Sequence, residues 1–246
     1  MPQVTTSIII PVYNQWQLTK NCLEALSKTL GEESYEILIV DNGSSDETKN
    51  ACETFGKKLF ESRFCYQRLE KNINFGPASN FGAKKARGEF LLFLNNDTIP
   101  QAGWLRPLLN DFTDIPRLGA SGPLLLYPES EPFGNTVQHL GVTVTPYKLV
   151  SHLYEGIPST CSLAKKRRFF QIITAACMLI PKNYFMNAGM FDEHYINGIE
   201  DVDLCAHLFA DNLRMTVNTA SSVIHYTSQT PGRSQYESEN FKYFQE

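Results

Sequence analysis

The sequence predicts an α/β fold built on a mostly parallel, doubly wound sheet. Two observations predict it. Over the first hundred residues, β-branched apolar runs alternate with segments of helical period. Strand–helix repeats of that length bury a parallel sheet between two layers of helices. Three of the apolar runs also end in polar clusters, Tyr13-Asn14, Asp41-Asn42 and Asn95-Asn96-Asp97. In sheets of this kind ligands bind at the carboxyl ends of the strands.

Each element has its own signal. Ser7-Ile8-Ile9-Ile10-Pro11-Val12 is a β-branched run interrupted by a proline, as a buried strand near its end should be. Asn14 is placed to cap a helix over WQLTKNCLEALSKTL. There Leu18, Cys22 or Leu23, and Leu26 recur at helical spacing, and Gly31 follows as a stop. Glu36-Ile37-Leu38-Ile39-Val40 reads as the second strand, and Asp46 is placed to cap a helix over ETKNACETFGKKL. A third strand is expected at about 64–69. NINFGPASNFGAKKARG reads as a glycine-containing loop entering a short helix, and Glu89-Phe90-Leu91-Leu92-Phe93-Leu94 as the fourth strand.

Beyond residue 100 the alternation fades. Residues 119–168 are rich in Pro, Gly, Tyr and Thr, which predicts a variable lobe of short strands and long loops. Their basic run, Lys165-Lys166-Arg167-Arg168, reads as a solvated loop in preference to a membrane contact. A buried segment is expected over 171–180. Val202, Cys205, and Leu208 or Phe209 then predict a helix with Glu200, Asp201 and Asp203 at its N-terminus. The tail, 228–246, is polar with aromatics and receives no assigned fold.

Composition narrows the class. With 246 residues, 42% hydrophobic and 20% charged, the chain is an ordinary globular one, sized for a single large domain. Its 22 basic and 26 acidic residues give a net charge of −4, so no basic footprint for nucleic acid is present. Phosphate would have to be met by a metal ion or by backbone N–H groups. The cysteines form no C-x-x-C, against a zinc ribbon or a thioredoxin-type site, and read as buried reduced thiols of a cytoplasmic protein. MPQVTTSIII has no features of a signal peptide, and the apolar-rich run 172–181 is too short to span a bilayer. NFKYFQE carries no clear stop signal, compatible with a domain cut from a longer protein. PVYNQW after the first strand is not G-x-G-x-x-G, and no GxxxxGK[ST] occurs, against a dinucleotide fold and a P-loop.

The polar clusters allow two readings each. Asp97, beside two amides, is either a hard-oxygen ligand for a divalent metal or the end of a turn. Asp41 either accepts hydrogen bonds from a ribose or base imide, or closes an Asx turn. The acids at 200, 201 and 203 are either dipole-stabilised helix starters or a source of a general base. His225, at a strand end, is either structural or completes a metal's coordination with Asp97.

In order along the chain, SIIIPVYN, ILIVDNGSSD, NINFGPASNFGAKKARGEFLLFLNND, ITAACMLIPKNYF, GMFDEHYINGIEDVDLC and His225 resemble family 2 glycosyltransferases of the GT-A fold. The loop NINFGPASNFG is similar to that of the rhamnosyltransferase-like branch. The resemblance spans 7–225. It implies one domain over 1–246, with a nucleotide-binding half over about 1–100, an acceptor-binding and catalytic half over about 101–227, and a tail. It implies an inverting enzyme of polysaccharide or glycoconjugate synthesis using a UDP- or dTDP-linked sugar and Mg²⁺ or Mn²⁺. The acceptor would be a saccharide, a lipid-linked oligosaccharide or a protein, and any membrane contact would be peripheral.

Position by position, Pro11, Tyr13 and Asn14 would line the nucleoside pocket and Asp41 would contact base or ribose. Asn74, Phe75, Gly76 and Asn80 would close around the nucleotide. Asn95-Asn96-Asp97 stands where the family has D-x-D. Only its last position is acidic, which gives metal ligation to Asp97 with His225, and a supporting sugar or ribose contact to Asn96. Asp201 would be the base, and Glu200 would orient the acceptor or the base. The incomplete D-x-D leaves open a catalytically silent nucleotide-sugar-binding module.

Overall fold

The computed structural model describes residues 5–145, 150–226 and 233–245. The first half alternates as the sequence pattern requires: β1 (Thr6–Val12), α1 (Trp16–Thr29), β2 (Tyr35–Asp41), α2 (Thr48–Phe60), β3 (Phe64–Arg68), α3 (Phe75–Lys85) and β4 (Phe90–Leu94). These strands lie in the order β3-β2-β1-β4, every neighbour parallel. Ile8, Ile9 and Ile10 are all fully buried, because helices cover both faces. Ile8 and Ile10 face α1 and α2 through Cys22, Leu23, Leu26 and Cys52. Ile9 faces the opposite layer with Ala78, Ala83 and Phe93.

The second half extends the sheet. It contains β5 (Thr98–Pro100), α4 (Leu105–Asp114), β6 (Leu118–Leu126), β7 (Val137–His139), β8 (Val142–Val144), β9 (Val150–His152) and β10 (Arg168–Phe170). It closes with β11 (Cys177–Pro181), α5 (Lys182–Asn187), α6 (Glu200–Ala210), β12 (Arg214–His225) and α7 (Glu237–Gln245). The sheet runs β10-β12-β6-β11-β4-β1-β2-β3. β11 is antiparallel to both β4 and β6, while β12 and β6 are parallel. All the strands from β12 to β3 except β11 therefore share one direction. Phe93, Phe185 and Phe191 pack under this junction with ring centroids 4.8–5.1 Å apart.

Several expectations change. Asn14 does not cap α1: Asn14 and Gln15 both adopt left-handed φ, 55° and 60°, which turns the Asn14 side chain toward the next loop. Asp46 serves both helices instead. Its Oδ2 accepts Trp16 N at 3.1 Å and its Oδ1 accepts Thr48 N at 3.0 Å. The stretch 119–168 is not all lobe, since β6 is a buried inner strand of the sheet and short strands begin only after it. The basic run is not uniformly solvated. Arg167 reaches the buried Asp111 at 2.7 Å, and Arg168 donates to Leu163 O and Lys166 O. Asp111 also accepts from Ser121 and Asn218, which fixes α4 to β6 and β12. Part of the tail forms α7; residues 228–232 and 246 lie outside the described residues. All six cysteines are free thiols, four of them buried.

α2 closes onto β3 only because Gly56 has no side chain. A Cβ there would lie 2.0 Å from Cζ of Phe64, a buried ring stacked on Phe60. Gly56→Ala is expected to cost about 1–3 kcal/mol by overpacking, more than the ~1 kcal/mol gained in helix propensity. The check is the midpoint of chemical denaturation; a midpoint at or above that of the unmodified protein would overturn it.

Candidate active site

The loops after β1, β2 and β3 are tied to one another at the carboxyl ends of the strands. Asn14 Oδ1 accepts Ser45 N at 2.8 Å and Asp46 N at 3.3 Å, and Asn14 N donates to Ser44 Oγ at 2.8 Å. Asp41 is fully buried. Its Oδ1 accepts Ser44 N at 2.8 Å, and its Oδ2 accepts Tyr66 Oη and Arg68 Nη1. Burial first, then the Asp41 carboxylate, pushes the Tyr66 phenol above its ordinary range, so Tyr66 stays a donor. Arg68 Nη2 donates to Ser44 O at 2.8 Å. Asp41 thus shapes the loop through Ser44 and Arg68, and its oxygens are engaged within the protein.

Asn42 does the same for the next loop. Its amide donates to Asn72 Oδ1 at 2.9 Å and Asn74 O at 3.1 Å, and its Oδ1 accepts Ile73 N at 2.8 Å. Asn74, at φ 72°, turns the chain into α3, whose first N–H, on Phe75, is met by Asn197 Oδ1 at 3.0 Å. Pro11 is half-buried and Tyr13 is 41% exposed at the rim. Gly76 is buried against Phe191. Asn80 is a correction. It is 1% exposed, its amide donates to Phe191 O at 2.8 Å and Glu193 Oε1 at 3.0 Å, and its Oδ1 accepts Phe191 N at 3.1 Å. A side chain so enclosed holds the 191–193 segment and does not reach a nucleotide.

At the end of β4, Asn96 donates to Thr19 Oγ1 of α1 at 2.9 Å. The pairing of β5 with β12 sets Thr98 opposite His225, and Tyr226 N donates to Asp97 O at 2.9 Å. His225 Nε2 consequently lies 3.2 Å from Asp97 Oδ1 and 3.3 Å from Asn95 Nδ2. Asp97 Oδ1 is buried and makes no hydrogen bond. A buried carboxylate oxygen left without a donor, beside an imidazole nitrogen, suits a divalent cation that takes oxygen and nitrogen ligands. Among the described residues no three His, Cys, Asp or Glu side chains converge as a metal cluster. Asp97 and His225 are therefore a pair of side chains that could hold part of such a cation's coordination.

Asp201 sits in the first turn of α6. Its Oδ2 accepts Ala175 N at 2.9 Å and its Oδ1 accepts Val202 N at 2.9 Å. The adjacent Ala176 O accepts Asn95 N at 2.9 Å, so two successive residues join Asp201 to the Asn95–Asp97 segment. Glu200 is buried and accepts Gly198 N at 2.6 Å, shaping the turn into α6. Asp203 faces Tyr195 instead of Ala175, and burial raises its carboxyl. A cavity of about 650 Å³ opens on that side, lined by Asp192, Asp203, His207 and Tyr243, away from the strand ends.

Three further residues carry weight that the sequence did not signal. Gln138, 4% exposed on β7, takes His225 with both amide atoms. Its neighbour His139 accepts Gly141 N and Thr174 N on Nε2 at 3.3 and 3.4 Å, so its Nδ1 carries the proton and donates to His152 Nδ1 at 3.0 Å. Asn240 of α7 accepts Ile196 N at 3.1 Å and donates to Ile196 O at 2.9 Å and Gly198 O at 3.0 Å, clamping the segment that enters α6. Gln138 and His139 lie in the motif-poor lobe and Asn240 in the unassigned tail, where nothing in the pattern marks them.

The model of Glycosyl transferase family 2 matches residues 7–185. The chain belongs to glycosyl transferase family 2. The family 2 domain is 31% identical over 230 residues to the O-antigen biosynthesis protein RfbC of Myxococcus xanthus, covering 90% of this chain and 17% of that protein. It is 36% identical over 92 residues to the poly(ribitol-phosphate) beta-glucosyltransferase of Bacillus spizizenii, covering 37% of this chain and 14% of that protein. It thus spans a small part of the length of these relatives. Among solved structures, GalNAc-T7 with UDP, GalNAc and Mn²⁺ superposes with a TM-score of 0.75 at 17% identity, over 91% of this chain and 44% of that one. The mannosyltransferase PcManGT of Pyrobaculum calidifontis, with GDP-Man and Mn²⁺, gives 0.68 at 14% identity, over 98% and 64%. The fold is that of the GT-A glycosyltransferases.

The family 2 domain should lose stability in acid through His139. Burial above all, then the repulsion that a second positive charge beside His152 or His225 would meet, holds the His139 imidazole well below its ordinary value. An unfolded chain takes up that proton near pH 6.5 while the folded one does not, so stability falls as pH drops below about 6.5. Melting temperature should decline from pH 7 to 5.5, with a shallower decline in His139→Gln; parallel declines would exclude His139 as the titrating group. Asn240→Ala leaves half-buried backbone groups of the 196–198 segment to water and should cost about 1 kcal/mol. An unchanged urea midpoint would show that the clamp is dispensable.

Proposed function

We propose that this domain is an inverting glycosyltransferase that moves a hexosyl or deoxyhexosyl unit from a UDP- or dTDP-linked donor to a hydroxyl. The work would lie in cell-surface polysaccharide or glycoconjugate synthesis, a reading the names of the O-antigen and poly(ribitol-phosphate) relatives support. The acceptor would be a saccharide, a lipid-linked oligosaccharide or a protein. No helix of the described residues is long and apolar enough to cross a membrane, and the reading puts the reaction in the cytoplasm, including the inner face of the membrane.

One observation carries the reading. The Ala175–Ala176 pair holds Asp201 on one side and the Asn95–Asp97 segment on the other, so a half-buried carboxylate, each of whose oxygens takes a single backbone N–H, stands across from a pair suited to a metal diphosphate. Pro11, Tyr13 and Asn14 would form the nucleoside rim, with the Asp41-braced Ser44–Arg68 loop beneath it. Asn74, Phe75 and Gly76 would border the nucleotide, and Asn96 the ribose or sugar.

Asp201, oriented by Ala175 N and Val202 N, takes the proton of the acceptor hydroxyl. The hydroxyl oxygen attacks the anomeric carbon from the face opposite the diphosphate. The bond to the diphosphate oxygen breaks, and its electron pair leaves with the nucleoside diphosphate. Asp97 and His225 would hold Mg²⁺ or Mn²⁺, which when bound offsets the charge that grows on the departing diphosphate.

The test is a thermal-shift titration with UDP, dTDP, GDP and CMP, with and without MnCl₂, together with donor turnover. A nucleotide at ~100-fold over its Kd should stabilise by about 2.7 kcal/mol. Asp201→Asn should lower transfer at least ~100-fold, the lower bound expected for a general base, and leave that stabilisation intact. Full turnover by Asp201→Asn removes Asp201 from the base role. Nucleotide binding with no release of nucleoside diphosphate by the unmodified protein would make it a binding module.

A further inference from the structure

We infer that Gln138 is a positioning residue that fixes His225 as a metal-facing imidazole; the inference rests on the reading of Asp97 and His225 as metal ligands. Gln138 Nε2 lies 2.9 Å from the carbonyl oxygen of His225, and Gln138 Oε1 lies 2.7 Å from His225 Nδ1. A carbonyl oxygen only accepts, so the amide's NH₂ must face it. Oε1 is then the atom that faces the ring, and it too only accepts. The ring proton therefore sits on Nδ1.

In the neutral ring this leaves the lone pair on Nε2, the nitrogen 3.2 Å from Asp97 Oδ1. The other tautomer would break the Gln138 bond and set two acceptors face to face at Nδ1. Both atoms of the amide hold the same residue, one by its main chain and one by its ring, so the ring's position and its tautomer are set together. A metal-bound histidine commonly gains its orientation from a partner on its other nitrogen. Here that partner comes from β7, which pairs with β6 beside β12. The side chain is 4% exposed and has no route to a ligand of its own.

The full chain is tested in two readouts. The first is the ¹⁵N NMR spectrum of the imidazoles without metal, which reports the tautomer of His225. The second is Mn²⁺ affinity in the presence of UDP, by titration calorimetry. Gln138→Met removes both bonds at similar volume; Gln138→Glu keeps an acceptor for Nδ1–H. The unmodified protein should show the proton on Nδ1. Gln138→Met should show a mixture and bind Mn²⁺ about 10–100-fold more weakly, with UDP binding in EDTA unchanged. Gln138→Glu should keep the Nδ1–H form and bind Mn²⁺ at least as well as Gln138→Met does. A proton on Nε2 in the unmodified protein, or an unaltered tautomer and affinity in Gln138→Met, would overturn the inference. Absence of Mn²⁺ binding by the unmodified protein would instead sink the metal reading, while the tautomer of His225 still judges Gln138.

Discussion

The register of β11 against β4 decides how Asp201 lies relative to the Asn95–Asp97 segment. Cys177 opposes Leu94, so the chain enters the sheet from a turn that meets Asn95 directly. That turn carries Ala175, the donor that takes Asp201. A slip by one residue would turn the buried Met178 and Ile180 to the layer of α1 and α4, and would draw Ala175 away from α6. The reversed strand therefore does more than fill the sheet. It ties a helix start far along the sequence to the end of an early strand, with one hydrogen bond between backbones and one from backbone to the Asp201 carboxylate.

The site pays for this order with an electrostatic mismatch. Asp97 Oδ1 and His225 Nε2 approach to 3.2 Å with no hydrogen bond between them, in a buried setting. Removing water from a carboxylate oxygen without giving it a donor is unfavourable. The surrounding strands over-determine the arrangement: Thr98 pairs with His225, Tyr226 N binds Asp97 O, and Gln138 grips the ring. Such local conflict inside a well-satisfied frame is where binding sites are found. By contrast the rim is fully braced. Asn14, Asp41, Asn42 and Asp46 join three loops before any ligand arrives, so little loop order remains to be imposed on binding.

Much of the fold was legible because its cause is local. Two-sided burial writes continuous apolar runs, and Ile8–Ile10 and Ile37–Val40 could be little else. Asp97 and His225 were legible as polar groups at strand ends, and Asp201 as an acid at a helix start. What failed depended on partners distant in sequence. Asn14 has the chemistry of a cap, yet its left-handed backbone aims it at residues 45 and 46. Asn80 sits in a glycine-containing segment typical of ligand loops, yet lies on the inner face of α3 against Phe191. β6 reads as Gly- and Pro-containing chain, and only its neighbours β11 and β12 make it an inner strand. Arg167 belongs to a basic run, and only the fold supplies the buried Asp111 it pairs with.

The three-residue strand β7 has a consequence for how the domain can be remodelled. Gln138 touches His225, and His139 touches the turn at Thr174 that precedes Ala175. Both sit inside the loop-rich stretch 119–168, within the half that the proposed function would give to the acceptor. Chimeras cut on either side of that stretch would remove the internal supports of both halves of the site at once. Grafts that begin after His139 and rejoin before Thr174 leave those supports with the recipient, and the exchangeable cassette is accordingly shorter than the loop-rich region looks.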